Sequence, residues 1–140
     1  MTTTRDQAAA STVLRSECAR AFLERLAAQD FANLPGLLTA DAQMRALLPS
    51  GPREWASGEV IADMFARWFG ETEAFEPVRS DVGEVGGRLH VCWRLRLRAE
   101  RLGVGWFTVE QQAYADTGED GRIARLDLLC TGYRPEADHG

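Results

Sequence analysis

Leu26-Ala-Ala-Gln-Asp30-Phe-Ala-Asn-Leu-Pro35-Gly-Leu-Leu-Thr-Ala40-Asp-Ala-Gln-Met-Arg45-Ala-Leu-Leu-Pro49 reads as the end of one helix, a short second helix and a first strand, and the rest of the chain is arranged around that corner. Asp30 can cap the short helix by accepting a hydrogen bond from an unpaired first-turn amide, whereas Pro35 suits a start nearer Asn33. Leu34, Leu37 and Leu38 give this helix an apolar face, and Thr39 with Asp41 closes it. Beyond Gln43, the residues Met44, Ala46 and Leu48 alternate like a strand with one buried face.

Upstream, Leu14, Cys18, Phe22 and Leu26 recur every fourth residue with Ala21 beside them, while Arg15, Glu17, Arg20 and Glu24 fall elsewhere on the wheel. That period predicts an amphipathic helix from Ser11, preceded by a flexible leader over residues 1–10. Downstream, Pro49, Gly51 and Pro52 break the strand, and a loop through Trp55 leads to Ser57, a helix cap with Glu59 in the first turn. Val60, Ile61, Met64, Phe65, Trp68 and Phe69 then form the broad apolar stripe of a third helix, with Gly70 placed for a left-handed carboxy-terminal cap.

The period now shifts to two. Phe75 to Val85 reads as a strand, Gly86-Gly87 as a tight turn, and Leu89, Val91, Trp93, Leu95 and Leu97 as the buried face of the next strand, opposite Arg88, His90, Cys92, Arg94, Arg96 and Arg98. Phe107, Val109, Gln111, Ala113 and Ala115 share one face of a further strand, and the turn from Asp116 to Gly121 leads into a last one. There Ala124, Leu126, Leu128 and Cys130 alternate with Arg125, Asp127, Leu129 and Thr131. Residues 135–140 read as a flexible tail after a single domain over 11–134.

A chain of 140 residues, 45% apolar and 26% charged, supports one core and no second domain. Its formal charge of −5 opposes attraction to nucleic acid or anionic membrane, so neither is an expected partner. No uncharged apolar run approaches the ~18 residues of a membrane span, and the polar start Met-Thr-Thr-Thr-Arg-Asp lacks the apolar core of a secretory signal, which together imply a cytoplasmic protein. Cys18, Cys92 and Cys130 are odd in number and widely spaced, as suits reduced structural thiols rather than disulfides or a zinc site.

Helices concentrated in the amino-terminal half and antiparallel strands in the rest give an α+β fold with the helices on one face of a single sheet. The chain resembles the nuclear transport factor 2-like superfamily, with its SnoaL-like polyketide cyclases, ketosteroid isomerase and limonene epoxide hydrolase. The resemblance rests on residues 28–42, on Gly58 before the third helix, and on Asp120-Gly-Arg-Ile123 opening the last strand. It implies a cone-shaped α+β barrel, three amino-terminal helices on a curved, mainly antiparallel sheet, with a pocket between helices and sheet and pairing of two copies through the outer face. Carried over residue by residue, the isomerase's general-base Asp falls on Ala46, its Tyr on Phe22 and its protonated Asp on Gln111, so its mechanism does not carry over unchanged.

The residues themselves offer Gln111 as the one polar member of an inward set, a group that binds ligand or satisfies a neighbouring backbone or water. Glu110 and Asp127 are the candidate acid and base, although alternation turns both outward towards the arginine row unless a bulge reverses them. His90 and His139 lack partners at dyad or metal spacing, and the glycine stretches 83–87 and 103–105 lie between strands, where a phosphate loop cannot form. The expected ligand lining is Phe22, Met44, Phe65, Trp68, Trp93, Phe107, Gln111 and Leu128. The readings are an enzyme of the SnoaL-like kind that cyclises, isomerises or dehydrates a hydrophobic small molecule without metal or cofactor, and a non-catalytic ligand-binding or dimerisation module. Trp106 and Tyr114 on the outer sheet face point to a homodimer.

Overall fold

The fourfold recurrence through Cys18, Phe22 and Leu26 builds a helix longer than its apolar stripe. A computed structural model describes the backbone of residues 4–136 and the side chains from residue 15 onward, so the expectations for residues 1–3, for the Leu14 side chain, and for 137–140 with His139 lie outside the described residues. Helix α1 runs Thr4–Ala27, and residues 4–10, expected as part of a flexible leader, are helical. Ala8, Ala9 and Ala10 supply helix propensity where no apolar period exists to be read.

The short second helix is instead two separate 3₁₀ turns, Phe31–Asn33 and Pro35–Leu37. Pro35-Gly36 accounts for the interruption, since proline lacks the amide an α-helix needs and glycine is a poor helix former. Asp30 caps neither turn; its carboxylate accepts from Asn33 Nδ2 at 2.8 and 2.9 Å. Strand β1 then spans Leu38–Leu48 and takes in Thr39 to Asp41, which the sequence assigned to a helix end. The loop expected through Trp55 is also a strand: β2, Gly51–Ala56, pairs antiparallel with β1. Because β2 is an edge strand, Pro52 can sit in it without costing the sheet an interior hydrogen bond.

Helix α2 covers Gly58–Phe69, with Ser57 Oγ accepting from the Val60 amide at 3.1 Å. A Cβ on Gly58 would stand 2.7 Å from the Thr39 carbonyl oxygen, so glycine lets the start of α2 lie directly on β1. Gly70 does not form the expected left-handed cap, since its φ is −91°. Side chains from elsewhere take the last carbonyls instead: Arg101 donates to Trp68 and Gly70 at 2.7 and 3.1 Å, Gln29 donates to Phe69 at 2.8 Å, and Tyr133 Oη donates to Trp68. With those groups satisfied, no glycine motif is required.

The remaining strands are β3 (Ala74–Val85), β4 (Arg88–Arg98), β5 (Phe107–Thr117), β6 (Ile123–Cys130) and β7 (Arg134–Pro135). Gly86 and Gly87, at φ 58° and 82°, make the turn between β3 and β4. The seven-stranded sheet has the order β2-β1-β6-β5-β4-β3, with β7 on β5, and all pairs are antiparallel except β1 with β6. It is mostly antiparallel and not closed, so the α+β cone is an open one with two α-helices and short 3₁₀ turns rather than three full helices. Register shifts at Leu38/Gln43, Pro77/Arg79 and Asp116/Thr117 bend the strands, as inserted residues do. The segment expected as a tail begins with β7 on β5, and Glu136 adds an amide bond to the Trp106 carbonyl at 3.0 Å.

Both helices lie on one face of this sheet, α2 over β1 and α1 over β3 and β4. Between them Phe22, Phe65, Phe69 and Trp93 are buried with the inward residues of β4, β5 and β6. On β4 burial alternates residue by residue, as the sequence pattern requires.

Candidate functional site

The aromatic residues expected to line an interior pocket pack against one another. Phe22 meets Phe65 edge-on with ring centres 5.4 Å apart, and Trp93 stands 6.0 and 6.1 Å from the same two rings. Such edge contacts add to the burial energy of each ring. Met44 and Leu128 complete this packed interior, and Phe107 is half-buried at the start of β5. None of Phe22, Met44, Phe65, Trp93 and Phe107 borders the cavity that follows.

That cavity, of about 400 Å³, opens where β1 and β6 end, and of the expected lining it keeps Trp68 and Gln111. Its walls are Leu48, Pro49, Trp68, Val109 and Tyr133, with Cys130, Thr131 and Gly132 at the rim. Gln111 is 1% exposed and the one buried polar side chain among the described residues. Its Oε1 accepts from Trp93 Nε1 at 3.1 Å, whereas its Nε2 donates to no acceptor among the described residues. An indole N–H can only donate, so the amide must turn its oxygen to Trp93 and its nitrogen elsewhere. Gln111 therefore offers the cavity amide hydrogens: donors without a protein partner, in a largely apolar surround. On the opposite wall Tyr133 donates its hydroxyl to the Trp68 carbonyl; burial pushes the phenol above its ordinary pKa, with Arg101 pulling the other way. It is a neutral phenol at physiological pH and no base.

A second hollow, of about 480 Å³, shares Leu48, Pro49, Gln111, Cys130 and Thr131 but faces the outer side of the sheet, among His90, Cys92, Glu110, Gln112 and Leu129. His90 Nε2 lies 2.9 Å from Gln112 Oε1 there. This outer hollow has charged Arg79 and Glu110 in its walls, while the cavity against Trp68 sets buried Val109 and Gln111 behind half-buried Leu48, Trp68 and Tyr133 with no charged wall, and is the better site for an apolar ligand.

No protein-family model matches the sequence, and no curated protein does. The structure does match solved ones. A steroid delta-isomerase of Pseudomonas aeruginosa superposes with a TM-score of 0.59 at 20% identity, over 84% of this chain and 79% of that one. A protein assigned as a polyketide cyclase, from Xanthomonas campestris pv. campestris, gives 0.65 at 14% identity over 85% and 91%, and an LEH-like epoxide hydrolase of M. tuberculosis 0.63 at 19% over 84% and 83%. The fold is nuclear transport factor 2-like. Identities this low speak to fold alone.

Within this nuclear transport factor 2-like fold, the positions that the isomerase resemblance singled out are apolar at Ala46 and Phe22 and neutral at Gln111, all three buried. The candidate acid and base are on the other face. Glu110 pairs with Arg94 at 3.1 Å, and Asp127 with Arg88 at 2.8 Å, Arg45 at 3.3 Å and Arg125 at 3.4 Å. No bulge reverses either, and neither borders the cavity against Trp68. Among the described residues no group of three His, Cys, Asp or Glu side chains could hold a metal.

Asp127 supplies a pH test. Burial raises its pKa, but the hydrogen bonds from Arg88 and Arg45 and the charge of Arg125 outweigh that and hold the carboxyl below its ordinary value. A depressed folded pKa stabilises the fold above the unfolded value of about 3.9 and is lost as pH falls through the folded one. Stability of the wild type should therefore fall more steeply below about pH 4 than that of Asp127→Asn. Parallel acid-unfolding curves for the two proteins would contradict the assignment.

Proposed function

We propose that the domain acts on a hydrophobic small molecule carrying a hydrogen-bond acceptor, held in the cavity between Trp68, Val109 and Tyr133, and that it turns this molecule over in the SnoaL-like manner, by cyclisation, isomerisation or dehydration without a cofactor. The observation that carries the reading is the unpartnered amide of Gln111. With no protein acceptor and the cavity beside it, that amide is open to a ligand carbonyl or hydroxyl oxygen, a hydrogen bond worth about 0.5–1.5 kcal/mol net. The same donor favours a transition state in which negative charge grows on that oxygen. Turnover is supported by the names of the similar structures, an isomerase, a cyclase and a hydrolase. The free thiols Cys18, Cys92 and Cys130 suit a reducing, cytoplasmic setting.

One observation favours a binding module instead: the cavity against Trp68 has no carboxylate or imidazole among its lining residues, so proton transfer there has no obvious protein base. A screen of apolar ketones and lactones, followed by backbone amide shifts, tests both readings. Shifts confined to Thr131, Gly132 and Tyr133 support the site, and conversion of the bound compound selects the enzyme. A screen in which those amides never move contradicts both.

Pairing of two copies through the outer sheet face belongs to the same proposal. Leu47 and Leu129 are 52% and 46% exposed there, near Tyr114. A dimer is expected in sedimentation at micromolar concentration, with Leu129→Glu shifting it to monomer. A wild-type monomer at that concentration contradicts the pairing.

A further inference from the structure

We propose that Trp93 is the positioning residue that sets the hydrogen-bond polarity of the cavity, making it select acceptor-bearing over donor-bearing ligands. The inference rests on the reading of the cavity as a ligand site. A glutamine is symmetrical in shape but not in chemistry, because a half-turn of its amide exchanges a carbonyl for two N–H donors. At Gln111 that choice is not free. Trp93 Nε1 reaches its Oε1 at 3.1 Å, both residues are almost wholly buried, and turning the amide over would set N–H against N–H and leave the indole donor without its acceptor. Trp93 does not border the cavity, so it acts through Gln111 rather than on the ligand. The indole bond also polarises the amide, as in a hydrogen-bonded chain, and strengthens the N–H donors presented at the far end. No charged side chain borders the cavity, so the favoured ligand is a neutral acceptor such as a ketone or lactone rather than a carboxylate.

Two neutral bicyclic probes of similar size test this: 1-indanone, which only accepts, and indole, which only donates. Wild type should bind 1-indanone about tenfold more tightly than indole, as the shifts of Thr131, Gly132 and Tyr133 amides report on titration. Trp93→Phe keeps an aromatic ring but frees the amide to turn, and should bring the two affinities within about twofold, whereas Gln111→Leu should weaken 1-indanone alone. Should Trp93→Phe fail to fold, Gln111 in the wild type still decides, because its side-chain NH2 protons should show stronger Overhauser contacts to Val109 or Tyr133 than to the Trp93 indole proton. An unchanged tenfold preference in Trp93→Phe, or NH2 contacts stronger to the indole proton than to Val109 or Tyr133, overturns the inference and leaves the cavity reading standing. If neither probe moves the cavity amides, the cavity reading itself fails and takes the inference with it.

Discussion

Trp93→Ala should lower stability by about 3–5 kcal/mol, the loss usual when a buried aromatic is truncated. Its ring is 2% exposed and touches Phe22 and Phe65, and its N–H holds the Gln111 carbonyl. Truncation thus opens a cavity and leaves a buried acceptor unpaired, two costs that add. Arg94→Ala is the control, since Arg94 is the next residue of β4 on the opposite face, where its half-exposed pair with Glu110 contributes at most about 1 kcal/mol. Urea melts with an unchanged slope should show the midpoint falling for the first variant and holding for the second. Equal losses would mean that the two faces of the sheet are wrongly assigned, and the cavity assignment would fall with them.

The second large effect concerns Gln111. Gln111→Leu removes the cavity's donor while keeping its bulk, and it should weaken a carbonyl-bearing ligand by about 1–3 kcal/mol. In an enzyme the donor serves charge that develops during reaction, so the substitution lowers turnover more than it lowers binding. In a binding module affinity alone changes. Calorimetry on the bound ligand, beside turnover of the same compound, separates these outcomes. A folded variant unchanged in both would make Gln111 structural. The wild-type amide is then held by Trp93 for packing rather than for a ligand.

The strands were legible where one face is buried and the other wet. On β4 every second residue is buried, and the arginines between them meet the acids of neighbouring strands: Arg94 meets Glu110, and Arg88 meets Asp116 and Asp127. Gly58 was legible as a motif residue, and the 2.7 Å approach of Thr39 gives its reason. The corner from Leu26 to Pro49 was only half legible. Local residues fix its breaks at Pro35-Gly36 and Pro49, but whether three residues close as 3₁₀ or α, and whether residues 51–56 join the sheet, depends on partners distant in sequence. The end of α2 is the clearest case. Gln29, Arg101 and Tyr133 cap it from three separate segments, and nothing next to Gly70 announces them.

The site divides in the same way. Gln111 stood out as a polar residue in an apolar inward row, and alternation alone turned Glu110 and Asp127 outward. That the aromatics fill the cone instead of lining it is a matter of summed side-chain volume, which no single spacing reveals. The walls that remain open come from Pro49 and from 131–133, where strands end and periodic pattern stops. Tyr133, beyond the last residue of the alternating pattern on β6, carries no periodic signal, yet it closes one side of the cavity and ties it to α2.

The most direct test follows the side-chain NH2 resonances of Gln111 during a titration with 1-indanone. They should shift together with the amides of Thr131, Gly132 and Tyr133, at one common affinity, while His90, Gln112 and Leu129 on the outer face stay in place. Movement of the outer-face signals with the Gln111 NH2 unmoved would contradict the cavity as the site.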